Sequence, residues 1–101
     1  VLGPSKMQAA KDELVIKLYN LSADNAAHLA REIRDRREQM MQLLYVYEKI
    51  RVRLYSDPLS LPTRSKGAYL ALIRGLGQGQ QFLAWCDEAL ELIASIPDVP
   101  Q

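Results

Sequence analysis

The longest stretch without helix-breaking residues constrains this chain most. No Gly or Pro occurs between residues 23 and 55, and apolar side chains recur there at alternating intervals of four and three residues. This spacing places them on one face of an α-helix. We therefore predict one helix, helix B, over about residues 23–56, with a length of roughly 50 Å. Its seam is apolar except for two charged positions, Arg37 and Arg51, and consists of Ala26, Ala30, Ile33, Arg37, Met40, Leu44, Tyr47, Arg51 and Leu54.

A second long helix follows a short loop. Pro58 and Pro62 exclude helix from residues 57–63, because proline lacks an N–H group and restricts the residue before it. Helix C is predicted over about residues 64–96, since Pro97 ends it. Two helices of similar length joined by a short loop are typical of an antiparallel hairpin. The seam of helix C consists of Tyr69, Leu72, Leu76, Gly79, Leu83, Cys86, Leu90 and Ile93.

A shorter helix, helix A, is predicted to come first, over about residues 5–21. Ser5 and Gln8 have the spacing of a capping box, and Ser22 is the expected N-cap of helix B. Without a Gly or Pro at this break, helix A could also continue directly into helix B. The predicted fold is thus all-α: one domain over residues 1–101, built as a three- to four-helix bundle.

Three glycines interrupt the pattern of helix C. Gly75, Gly77 and Gly79 each cost about 1 kcal/mol relative to Ala inside a helix. Two outcomes remain open from the sequence. Either helix C breaks at residues 75–79, or the glycines allow another helix to approach very closely.

Surplus apolar surface is the feature that bears most directly on function. Residues 40–55 and 68–76 are apolar on more than one face, whereas helix A can cover helix B only to about residue 40. A helix that is apolar on most sides should be covered on most sides. The tip half of the hairpin would become ordinary core if helix A continued into helix B or helix C folded back. Otherwise another polypeptide covers it. The predicted partner-binding residues are Met40, Met41, Leu43, Tyr47, Ile50, Leu54, Tyr69, Leu72, Ile73 and Leu76.

Charge is segregated along the chain. The net charge is only +1, yet residues 49–74 hold six basic side chains and a single acid, Asp57. Residues 75–101 hold four acids and no Lys or Arg. Such segregation bears on association rather than on fold. The basic patch consists of Lys49, Arg51, Arg53, Arg64, Lys66 and Arg74.

The sequence offers little for catalysis or metal binding. His28 is the only histidine and Cys86 the only cysteine, so neither a zinc site nor a histidine-based dyad can be assembled. The run Gly75–Gly79 lacks the spacing of a nucleotide loop. We expect no enzyme activity, no cofactor and no metal. A lone cysteine and the absence of an apolar run of about 18–20 residues favour an intracellular protein, cytoplasmic or nuclear, without a membrane anchor.

These observations predict a non-catalytic protein–protein interaction module, such as an adaptor, a small chaperone or an assembly subunit. Its partner would be a second copy, forming a homodimer, or a helical heteropartner. The weaker alternative is a nucleic-acid-binding domain that uses the basic patch at the tip of the hairpin.

Overall fold

The computed structural model describes residues 13–97, and that part of the chain is entirely helical. Three α-helices occur in it: α1 at residues 13–19, α2 at Ala26–Leu54 and α3 at Thr63–Ala94. A short 3-10 helix, Pro58–Ser60, lies between α2 and α3, and residues 13–97 contain no strand. The all-α prediction is confirmed. The predicted start of helix A, with its Ser5–Gln8 capping box, lies outside the described residues.

Asparagine side chains separate α1 from α2. The backbone N–H of Ser22 donates to Oδ1 of Asn25 at 2.8 Å, and Nδ2 of Asn25 donates to the carbonyl of Asn20 at 3.1 Å. Asn favours turns because its side chain competes for backbone hydrogen bonds. The chain therefore does not run straight from α1 into α2. The N-cap of α2 is Asn25, three residues later than the expected Ser22.

The long helices are packed against each other with opposite chain direction. The rings of Tyr55, at the end of α2, and Tyr69, near the start of α3, lie 5.6 Å apart. Far from that loop, Arg37 Nε donates to Asp87 Oδ1 at 2.7 Å. Contacts thus join late residues of one helix to early residues of the other. We call the loop at residues 55–62 and the adjoining helix ends the tip.

Helix α3 continues unbroken through its three glycines, and one of them lies where α2 approaches α3 very closely. A Cβ on Gly79 would lie 2.5 Å from Leu44 Cδ2 and 2.9 Å from Met40 Sδ, both closer than real Cβ contacts. A Cβ on Gly77 would meet nothing within 4 Å. Of the two open outcomes, α3 has the close approach rather than the break. Gly79 is the position that requires a missing side chain.

The buried core lies at the end of the molecule away from the tip. Leu29 and Ile33 of α2 are 1% and 0% exposed, and Leu14 of α1 packs into the same cluster. No residue from 34 to 75 is fully buried. Over its described residues, 13–19, helix α1 therefore supplies a third layer at this end. The cluster consists of Leu14, Leu29, Ala30, Ile33, Cys86 and Ile93.

Candidate protein-binding groove

An open groove runs between α2 and α3 near the tip. It has a volume of about 330 Å³. The part of the lining that α3 contributes includes the small residues Ala68, Ala71 and Gly75, which we call the floor. The lining also includes two tyrosines, Tyr47 and Tyr55. Every lining residue except the two tyrosines lacks a polar side-chain atom, so the groove suits an apolar occupant. The lining residues are Tyr47, Ile50, Tyr55, Ala68, Ala71, Leu72 and Gly75.

The groove continues the surface on which α1 packs. Residues spaced three or four apart lie on the same face of a helix. Along α3 this spacing leads from the groove, through Gly79, to the residues beneath α1. The described residues of α1, 13–19, cover the far part of this surface. The series consists of Ala68, Ala71, Gly75, Gly79, Phe82, Cys86, Ala89 and Ile93.

Exposed apolar side chains border the groove along α2. Leu43, Val46 and Leu54 are 42%, 50% and 60% exposed, and they share a helix face with Ile50, which lines the groove. Scattered exposed apolar residues are normal, whereas a contiguous strip beside an apolar groove indicates an interaction surface. We call Leu43, Val46 and Leu54 the rim. A separate exposed group, Met41, Tyr45 and Val52, lies on the other side of the α2 seam.

The structure divides the ten predicted partner-binding residues into three groups. Met41, Leu43 and Leu54 are exposed, and Leu76 is buried between the helices. The others are half-buried, and three of them line the groove: Tyr47, Ile50 and Leu72. Met40 instead packs near Gly79. The remaining half-buried residues are Tyr69 and Ile73.

The sequence prediction missed the small residues of the groove floor. Ala68, Ala71 and Gly75 were not in the predicted set, which consisted of large apolar side chains. Their spacing of three and four residues was the available signal, because it places them on one face of α3. Val46, on the rim, was missed as well.

A second, smaller groove lies between α1 and α3, at the end away from the tip. Its volume is about 250 Å³. The indole of Trp85 stacks on Phe82 with ring centroids 5.8 Å apart. Leu18 also packs against the buried core, so this groove is part of the packing of α1. It is lined by Leu18, Leu21, Trp85, Glu88, Ala89, Leu92 and Ile93.

Glu32 of α2 pairs with two cations, and one of them, Lys17, links α2 to α1. Its carboxylate accepts hydrogen bonds from Lys17 Nζ at 3.2 Å and from Arg36 at 3.1 Å. Burial raises the pKa of Glu32, but the hydrogen bonds and charges of Lys17 and Arg36 lower it by more, so the pKa lies below its usual value. Removing the proton is thus easier in the folded chain than in the unfolded chain.

The pKa of Glu32 predicts a loss of stability in acid. A lowered folded pKa contributes stability above the unfolded value of about 4.3, and this contribution is lost as the pH falls through the folded pKa. We expect Glu32→Gln to be less stable than the wild type at neutral pH, with the difference shrinking towards zero in strong acid. Urea unfolding at several pH values measures this. Glu38→Gln is the control, because Glu38 has no ion pair within residues 13–97. A Glu32→Gln difference that did not change with pH would contradict the prediction.

Cys86 is a packed side chain rather than an accessible thiol. It is 0% exposed, and burial raises the pKa of its thiol, with Arg37 opposing this and Asp87 adding to it. A raised pKa lowers the fraction of reactive thiolate. Within residues 13–97, no three His, Cys, Asp or Glu side chains are placed to hold a metal ion.

The six residues of the basic patch lie at the tip and on the parts of α2 and α3 next to it. Arg51 pairs with Glu48 one turn earlier on α2. Lys49 Nζ lies 5.0 Å from the centre of the Tyr45 ring. The others, Arg53, Arg64, Lys66 and Arg74, are exposed and form no ion pair within the described part of the chain.

None of the helices in residues 13–97 combines the length and apolar character needed to cross a membrane.

Comparison with known proteins gives one match. A family model described as Virulence activator alpha C-term matches residues 10–94, which is most of the chain and includes α1, α2 and α3. No curated protein matches the chain, and no solved structure does.

Proposed function

Because the chain belongs to the family described as Virulence activator alpha C-term, we propose that it is a non-catalytic protein–protein interaction module of a transcription activator. Its partner is a second copy of the chain. The observation that carries this proposal is the apolar groove between α2 and α3, whose tip end no other segment of residues 13–97 covers. A transcription activator works inside the cell, which places this module there as well.

The groove needs an occupant for energetic reasons. Apolar surface removed from water contributes about 25 cal/mol per Å², so a strip of half-exposed apolar side chains is a considerable unused driving force. At the covered end, Leu14 of α1 meets this need by packing against Ile33 and Cys86. At the tip end, no described segment of the same chain does so. Because Ala68, Ala71 and Gly75 have small side chains or none, the groove leaves room for larger side chains of a bound partner.

A second copy fits this surface better than an unrelated partner. In a two-fold dimer the same patch faces itself, so one chain must supply both the depression and the side chains that fill it. This chain has both, since the rim residues Leu43, Val46 and Leu54 project beside the groove. The net charge of +1 also means that two copies repel each other little at long range.

Of the three roles predicted from the sequence, the groove supports the assembly subunit. A homodimer would keep the apolar strip permanently covered. A chaperone, in contrast, would cover it only while a client protein is bound. Nothing in residues 13–97 argues for an adaptor or a small chaperone.

Self-association is tested by light scattering during size-exclusion chromatography at several protein concentrations. We expect a mass near twice the 11.4 kDa of one chain. Val46→Asp should give a monomer, because burying an unpaired carboxylate on the rim is strongly unfavourable. Val52→Asp is the matched control, since Val52 is 59% exposed on the same helix, against 50% for Val46, but lies on the other side of the seam.

Both variants should keep the circular dichroism of the wild type. A wild-type mass of one chain at every concentration would refute self-association. Loss of association in Val52→Asp but not in Val46→Asp would refute the groove as the interface.

A further inference from the structure

The basic patch has a charge that the chain itself does not neutralise. Of its six cations, only Arg51 forms an ion pair within the described residues, and its partner is Glu48. Away from the tip, three of the five described cations, Lys17, Arg36 and Arg37, are paired with carboxylates, whereas Arg31 and Arg34 are not. The two ends thus differ in pairing as well as in composition. Unpaired cations gathered at one end are the electrostatic signature of a surface that meets a polyanion.

Helix stability does not explain all of these cations. Arg51 and Arg53 lie in the last turn of α2, where positive charge complements the helix dipole. Arg64 and Lys66 have the opposite placement. They lie at the start of α3, where the dipole is already positive and acidic residues are favoured, yet the first turn holds no acid. These two cations weaken the helix that carries them, so their role lies outside the fold.

We infer that the basic patch binds the phosphate backbone of duplex DNA. Lys and Arg on exposed, narrow structures reach phosphates without reading bases, and binding releases the counterions that surround the duplex. Arg53, Arg64 and Lys66 are exposed on either side of the tip loop and can contact neighbouring phosphates together. A transcription activator works on DNA, which favours DNA over other polyanions. This contact is separate from the groove, whose lining contains none of the six cations.

A lipid surface is the main competing polyanion. Leu59, at the apex of the tip, is 89% exposed, and an apolar residue beside cations can also insert between lipid headgroups. It is a single apolar residue, however, and Asp57 lies close to it in the same loop, with its carboxylate bonded to Ser60 at 2.6 Å. Asp57 is unfavourable beside either polyanion, so the small apolar area of Leu59, the one exposed large apolar side chain in residues 55–62, is what disfavours insertion into a membrane.

Fluorescence anisotropy with a labelled duplex of about 20 base pairs tests the inference, starting at about 50 mM salt and increasing to about 200 mM. We expect affinity to fall with salt, with a log–log slope of about −3 to −4 for four phosphate contacts, and equally for two unrelated duplex sequences. Arg64→Gln combined with Lys66→Gln should weaken binding at least about tenfold at low salt and reduce the slope by about 2.

Arg31→Gln combined with Arg34→Gln is the matched control. These arginines are exposed on α2, form no ion pair within residues 13–97 and lie away from the tip. The control removes the same charge as the patch variant. Because the charge is removed away from the tip, the salt dependence of binding should stay nearly unchanged. Lys49→Gln combined with Arg53→Gln gives an independent second test within the patch.

Three results would overturn the inference. The first is no binding to either duplex at the lowest salt concentration. The second is an equal loss of affinity in the control and in the patch variants, which would show that only net charge matters. The third is tighter binding to vesicles containing anionic phospholipid than to the duplex. Because these measurements do not depend on dimer formation, their outcome is independent of the light-scattering result.

Discussion

Leu29→Ala is expected to destabilise the domain by about 2–5 kcal/mol, as large-to-small substitutions in a packed core usually do. Leu29 is 1% exposed and lies in the cluster that joins α1 to α2 and α3. Truncation to Ala removes apolar contacts and leaves a cavity that the surrounding helices cannot fully close. For a domain of this size, a loss of this order lowers the melting temperature by roughly 10–30 °C.

Leu70→Ala is the matched control, because the same side chain is 60% exposed on α3 and lies outside the groove and its rim. Its effect should stay within about 0.5 kcal/mol, as for most surface substitutions. Thermal unfolding by circular dichroism at one fixed protein concentration measures both, since association would shift the midpoint. Equal effects of the two substitutions would show that Leu29 is not packed in the core.

Gly79→Ala is expected to destabilise the domain although Ala is the better helix former. The helix preference alone favours Ala by about 1 kcal/mol. Against this, the new methyl group would lie 2.5 Å from Leu44 Cδ2 and 2.9 Å from Met40 Sδ, so both side chains or the helices must move. Overpacking of this kind costs typically 1–3 kcal/mol. Subtracting the helix preference from this cost leaves a net loss of up to about 2 kcal/mol.

Gly77→Ala separates the two effects, because it gains the same helix preference and its Cβ meets nothing within 4 Å. It should raise the stability by about 1 kcal/mol. The difference between the two variants, measured by urea unfolding, isolates the cost of the close approach. Stabilisation of equal size in both would mean that α2 and α3 are further apart at this point than the structure places them.

The groove could be predicted from the sequence only in part. Tyr47, Ile50 and Leu72 were identified because large apolar side chains were in excess near the tip. The floor of Ala68, Ala71 and Gly75 was missed, because small residues add little to apolar content and a depression forms only where neighbours are larger. The ion pair between the two long helices could not be predicted either. Arg37 and Asp87 are 50 positions apart in sequence, so only the packing of α2 on α3 brings them together.

The sequence by itself determined the helices. The spacing of apolar residues, the long interval without Gly or Pro and the prolines of the loop act within a few residues of each other, so the all-α fold and the unbroken α2 follow from local physics. The tertiary structure decided what these helices bury. Leu29, outside the predicted seam, is buried in a cluster to which α1, α2 and α3 all contribute, whereas Leu54, on the seam, is exposed because no segment of residues 13–97 covers it. Periodicity identifies an apolar face, but burial depends on whether a distant segment is long enough to reach that face.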